Sequence, residues 1–195
     1  MKKLLITGFD PFGGADRNPS REAVMALPNV IGDYTLTKLE IPTVFGLAAK
    51  TVLETAAELA PDAILCVGQA GGRASITPEV VAINLREASI PDNHGNQPKN
   101  LPVVENAPAA YFSTLPVRDM VEAVKAVGVP CALSYSAGAF VCNDLLYTLL
   151  HRYDGTGVRV GFVHIPYLPE QAGEGVPSLP LCEAAKGLTA AIGAL

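Results

Sequence analysis

The chain has 195 residues, of which 49% are hydrophobic and 17% charged, and its formal net charge is −5. This balance excludes a disordered chain and an affinity for nucleic acid built on phosphate contacts. No apolar run reaches the roughly 18 residues of a membrane-spanning helix, and the apolar stretch after Met1-Lys2-Lys3 is too short for a signal peptide. The expectation is one domain over residues 1–195, cytoplasmic, with no membrane partner.

In chain order, residues 3–7 form an apolar run ended by Gly8, the pattern of a buried strand. Gly8-Phe9-Asp10-Pro11-Phe12-Gly13-Gly14 follows as a loop. Asn18-Pro19-Ser20 starts a helix to about Leu27, with Ser20 as its N-cap. Residues 34–41 alternate as a second strand, residues 45–59 are an Ala- and Leu-rich helix stopped by Pro61, and residues 63–67 are a third buried strand. Gly68-Gln69-Ala70-Gly71-Gly72-Arg73 is again a loop. Residues 76–85 read as extended despite Pro78, which suits a strand start or an edge. Residues 90–102, rich in Pro, Asn and Gly, read as an excursion from the core. A helix over 115–127, a strand over 131–134, a helix over 140–153, a strand over 158–165 and a helix over 181–195 complete the order. Strand–helix alternation predicts an α/β sandwich with a mostly parallel sheet covered on both faces. Loops at 8–14, 68–73, 134–139 and 164–169 then share the carboxyl end of that sheet, the usual seat of chemistry.

The four cysteines, Cys66, Cys131, Cys142 and Cys182, form no Cys-x-x-Cys motif and are expected as free thiols. Cys66 and Cys131 lie in apolar strand-like runs and read as small buried hydrophobes; Cys182 opens the last helix and reads alike. Only three histidines are present, so a zinc site has little support. Cys142 stands where a loop of small residues turns into a helix, and the helix dipole there favours thiolate. It also shares the apolar face of Leu145, Leu146 and Leu149, which suits a buried structural thiol equally well. His164, ending a strand, reads either as a general base or as a satisfied core histidine. A cysteine–histidine pair needs a third group to orient the imidazole. Glu79, Asp92, Asp10 and Asp144 are the candidates in the same loop layer. Glu79 lies among residues that look buried, where a carboxylate needs a partner; its second reading is an exposed edge residue. Asp144 reads better as a first-turn acid that complements the dipole. Phe9 and Phe12 flank Asp10-Pro11 and suggest a pocket for a small, flat, uncharged group, with loop anchoring as the other reading. Gln69 offers an amide to a substrate carbonyl.

Several segments, in order, resemble the pyrrolidone-carboxylate peptidases, also called pyroglutamyl peptidases I. They are Thr7-Gly8-Phe9-Asp10-Pro11-Phe12-Gly13-Gly14 with Asn18-Pro19-Ser20; Gly68 to Arg73; Glu79 with Val81-Ala82-Ile83-Asn84; Ile90-Pro91-Asp92-Asn93; Ala137-Gly138 with Phe140-Val141-Cys142-Asn143; and Gly161-Phe162-Val163-His164-Ile165-Pro166. The resemblance runs from Leu5 to the final helix. It implies a three-layer α/β/α sandwich, assembled as a homotetramer or homodimer. It implies a cysteine exopeptidase that removes an N-terminal 5-oxoproline from peptides through a thioester acyl-enzyme, with no metal or organic cofactor. Cys142 falls on the family's nucleophile, His164 on its base and Glu79 on its orienting acid. The pocket falls on Phe9, Phe12, Gln69, Ile90 and Phe140, with Asn18 in support of the loop. Ser89 stands where the family often has arginine, a departure that bears on rate and pH behaviour and leaves the triad intact. Two rivals remain at this point: a nucleoside phosphorylase or hydrolase on a related sandwich, and a binding module that has kept the pocket.

Overall fold

The computed structural model describes residues 1–195. Its elements are β1 (Lys2–Phe9), α1 (Pro19–Ala26), β2 (Val30–Ile31), β3 (Tyr34–Ile41), α2 (Leu47–Leu59), β4 (Ala63–Gln69), β5 (Thr77–Pro78), β6 (Val81–Ile83), β7 (Ala110–Phe112), α3 (Val117–Ala126), α4 (Val141–Tyr153), β8 (Arg159–Ile165) and α5 (Leu181–Gly193). Six strands form one sheet in the order β2-β3-β1-β4-β8-β5. The four long strands, β3, β1, β4 and β8, run parallel, and short antiparallel strands close both edges. No helix is long and apolar enough to cross a membrane.

Strand alternation sorts the core into two layers. Leu4, Ile6, Leu65, Val67 and Val163 point to one face and pack against α1, α3 and α5. Leu5, Ile64, Cys66, Val160 and Phe162 point to the other and pack against α2 and α4. Burial on both faces is why β1 and β4 read as continuous apolar runs with no polar alternation. The result is the expected three-layer α/β/α sandwich with a mostly parallel sheet. The parity also decides the chemistry: His164, two residues after Phe162, falls on the face that carries α4.

Four local expectations need correction. Asn18 caps α1, not Ser20: Asn18 Oδ1 accepts from the Ser20 amide, and Ser20 sits inside the helix with its hydroxyl on the Phe9 amide. Residues 131–134 form isolated bridges, Ile76 with Cys131 and Glu79 with Ser134, in place of a strand. Pro78 lies between the two bridges and has no N–H to donate, so the ladder breaks there. Residues 76–85 split for a related reason. β5 stays on the main sheet, while β6 leaves it to pair with β7, a strand that the local sequence pattern does not announce. Cys182 is exposed, because the first turn of α5 turns that position outward, whereas Cys66 and Cys131 are buried as expected.

Candidate active site

The carboxyl ends of β1, β4 and β8 converge with the start of α4 on a cavity of about 360 Å³. Cys142 reaches it from the first turn of α4. The N-cap there is Phe140, whose side chain makes no capping hydrogen bond. The first amides of α4 therefore have no side-chain partner and keep their capacity to bind an anion. Beneath the thiol lies Gly68. A Cβ built there would stand 2.7 Å from the Phe162 ring and 3.1 Å from Cys142 Sγ. Only hydrogen fits, so Gly68 is the hollow into which the sulfur settles. In the sequence this glycine reads as the start of a loop; the available signal is a glycine inside an apolar strand, which often marks close approach.

His164 is the register partner of Gly68 across the β4–β8 ladder, which sets its imidazole beside that hollow. On its other side Thr77 pairs with His164, and the Glu79 amide donates to the Phe162 carbonyl. Glu79 is thus the diagonal cross-strand neighbour of His164 on the same face. The Glu79 side chain is 0% exposed, and its Oε1 bonds His164 Nδ1 at 2.7 Å. Arg73 Nη1 donates to the same oxygen at 2.8 Å. Burial opposes ionisation of Glu79, but the hydrogen bond and charge of His164, followed by hydrogen bonds from Ser134 and Arg73, outweigh it and hold the carboxyl below its ordinary range. Burial also disfavours the imidazolium and lowers the His164 pKa, against the opposing pull of Glu79. At neutral pH the pair is a carboxylate and a neutral imidazole. An ionised carboxylate only accepts, so the ring hydrogen sits on Nδ1 and Nε2 is left as a base.

The thiol departs from the simple dipole argument. Burial, followed by the charge of Glu79, pushes Cys142 up to about 12. Desolvation outweighs the opposing charge of Arg73 and the backbone hydrogen bond at Cys142, and the resting group is a thiol. Cys142 and His164 line the same cavity, so proton and nucleophile have a common destination there.

Phe9, Phe12, Asn18, Gln69 and Phe140 line the cavity with them. Phe45 props Phe140 edge-on at 5.2 Å between ring centroids. Gln69 Oε1 is buried with no hydrogen-bond partner, an acceptor held ready for a ligand N–H. Asn18 is almost fully buried and acts on the loop: Nδ2 donates to the Asp10 carbonyl at 2.9 Å. Ile90 is the exception. It lies outside this cavity and, at 44% exposure, lines a neighbouring groove that also touches Phe12 and Gln69. The other three acid candidates are engaged elsewhere. Asp10 accepts from the Thr43 amide, and Asp92 from the amides of Phe45, His94 and Asn96. Asp144, also 0% exposed, is an acid in the first turn of α4 as read from the sequence, and it also braces the helix by accepting from the Gly46 amide and pairing with Arg86 at 2.6 Å. No three His, Cys, Asp or Glu side chains are grouped to hold a metal ion. A thiol, a neutral imidazole and unpartnered helix amides around an apolar cavity have the chemistry for acyl transfer.

Comparison with known proteins gives one family. The family model for pyroglutamyl peptidase matches residues 2–195. The chain is 50% identical to the pyrrolidone-carboxylate peptidase of Levilactobacillus brevis, covering 99% of this chain and 97% of that one. It is also 50% identical to that of Staphylococcus haemolyticus, covering 99% and 93%. Among solved structures, the pyroglutamyl peptidase I of Bacillus amyloliquefaciens superposes with a TM-score of 0.96 at 47% identity, over 100% of this chain and 96% of that one. The pyrrolidone carboxyl peptidase of Thermococcus litoralis gives 0.94 at 34% identity, over 100% and 93%.

Proposed function

The chain belongs to the pyroglutamyl peptidase family of cysteine peptidases, and on that footing we propose that Cys142, His164 and Glu79 hydrolyse the bond after an N-terminal 5-oxoproline of a peptide. The observation that carries the reading is the buried Glu79–His164 hydrogen bond of 2.7 Å behind a cavity that also holds the Cys142 thiol. Residues 1–195 act as a single domain in this reading.

The substrate explains the form of the cavity. A 5-oxoproline residue has no free α-amine, so recognition rests on packing a flat lactam and on a few hydrogen bonds. Phe9, Phe12 and Phe140 supply the apolar walls. The unpartnered Gln69 Oε1 accepts from the lactam N–H. A substrate lacking that N–H leaves a buried acceptor unpaired, which is the source of strong discrimination.

In the reaction, Cys142 Sγ attacks the pyroglutamyl carbonyl carbon while its proton passes to His164 Nε2. Because the thiol is held high and the imidazolium low, proton transfer accompanies attack; there is no resting ion pair. The amides at the start of α4, including that of Cys142, hold the oxyanion. Collapse breaks the C–N bond, and His164 gives its proton to the leaving amine. The thioester that remains is attacked by a water whose proton goes to His164; the C–S bond breaks, and sulfur recovers that proton. Glu79 stabilises the transient imidazolium and keeps the ring oriented throughout. The assembly proposed with this function is a homotetramer or homodimer, and a monomer mass by light scattering would contradict it.

Cys142→Ala and Cys142→Ser test the assignment on a pyroglutamyl amide with a chromogenic leaving amine. Loss of turnover with retained fold is expected. Wild-type turnover in either variant would overturn it.

A further inference from the structure

We infer that Arg73 is a positioning residue for this reaction, acting through Glu79 to fix which ring nitrogen of His164 meets the cavity as a free base. The inference rests on the roles proposed for Cys142 and His164. Arg73 ties three segments together. Its Nη1 donates to Glu79 Oε1 at 2.8 Å and to Thr77 Oγ1, and its Nη2 donates to the Ser136 carbonyl at 3.1 Å. It therefore links the loop after β4, the segment that carries Glu79, and the loop that leads into α4.

The need for such a residue follows from the state of Glu79. Oε1 serves both Arg73 and His164, while Oε2 is buried without a partner. A carboxylate enclosed in this way is driven toward its neutral form unless donors and a cation oppose the drive; His164 and Ser134 supply hydrogen bonds, and Arg73 adds a hydrogen bond that carries a full charge. A neutral Glu79 would carry a hydrogen of its own and donate it to His164 Nδ1. The ring hydrogen would then sit on Nε2, and the thiol would face a donor with no site for its proton. The titratable groups facing Glu79 are Arg73 from the loop after β4, His164 on β8 and Cys142 on α4, with the thiol of Cys66 on β4 coupled in turn to Cys142. Of these only Arg73 is a permanent cation. Arg86 is not available for the task, being paired with Asp144 at 2.6 Å. Both consequences of losing Arg73 have the same sign. Glu79 titrates at higher pH, and so does His164, because the Arg73 charge opposes the imidazolium.

The test compares wild type with Arg73→Met and Arg73→Lys by two readouts: the pH profile of kcat/KM, and the ¹⁵N signature of the His164 ring. Arg73→Met is expected to move the acid limb up by about one pH unit or more, the size of one close opposite-charge contact. It is also expected to lower kcat at least about tenfold at pH 6 with little change in KM, and to move the ring hydrogen from Nδ1 toward Nε2. Arg73→Lys restores the charge and brings the limb most of the way back. Should Arg73→Met not fold, Arg73→Gln keeps a donor for Ser136 and carries the same expectation. A wild-type limb and ring signature in the neutral variants would overturn the inference, and so would a lysine variant no better than methionine. Turnover retained in Cys142→Ala would instead remove the nucleophile while leaving the tautomer shift to be seen, so the two failures are separable.

Discussion

Replacing Gly68 by alanine perturbs the site with a single methyl group. That methyl would lie 2.7 and 2.9 Å from two Phe162 ring carbons and 3.1 Å from Cys142 Sγ. Carbon atoms pack best at about 3.5–4.0 Å, so the ring contact falls short by nearly 1 Å. Phe162 is buried between strands and tilts against both Phe9 and His164, which leaves it little room to yield. The strain is shared by moving the ring, the thiol or the strand. Overpacking of this kind destabilises by about 1–3 kcal/mol, or roughly 2–12 °C in Tm for a chain of this size. The effect on rate is larger, since a misplacement near 1 Å in a reacting geometry lowers the rate about a hundredfold. Thermal denaturation and steady-state turnover of a pyroglutamyl amide read the two effects separately. A Gly68→Ala variant with kcat within about twofold of wild type would show that this hollow does not seat the sulfur.

Two further outcomes follow from the charges. Glu79→Gln is expected to lower kcat by about a hundredfold or more with KM nearly unchanged and the far-UV spectrum retained, because the amide no longer enforces the Nδ1–H tautomer; an unchanged rate would return Glu79 to a structural role. Stability is expected to fall at alkaline pH. Burial raises Cys66 and Cys142 to about 12 and Cys131 to about 11, while an unfolded thiol titrates near 8.5. Between these values the unfolded chain holds fewer protons, so stability is full below about pH 8.5 and declines above it, by at most about 1.4 kcal/mol per pH unit for each thiol. Cys66→Ala should flatten that decline in a series of Tm against pH, and an unchanged slope would exclude the buried thiols as its origin.

The layered fold was legible because buried parallel strands write themselves as short unbroken apolar runs, and residues 34–41 match β3 end to end. The failures share a physical cause: long-range partners are invisible in a local pattern. Ser20 and Asn18 are both good caps, and only the Phe9 amide, which takes the Ser20 hydroxyl, decides between them. Residues 131–134 have strand composition, yet the ladder they join is cut by Pro78 on the opposite segment. For the site, Cys142 and His164 are visible as residues at element ends, but each keeps a structural reading. Glu79 cannot be separated from Asp10, Asp92 and Asp144 until β5 fixes its register against β8. Ile90 matches a motif but stands on the adjoining groove. Gly68 reads only as a loop residue, since it acts by lacking a side chain, and the bond of Arg73 to a partner six positions away has no signature in a local pattern.

The mechanism stands or falls on Cys142 carrying the acyl group. A pyroglutamyl ester with a fast leaving group makes deacylation the slow step, so the intermediate accumulates and survives an acid quench. Mass spectrometry of the digested protein then reads the site directly. A pyroglutamyl adduct is expected on the peptide containing Cys142, absent from Cys142→Ala. A burst of product with no adduct at Cys142, or with the adduct on another residue, would contradict the mechanism.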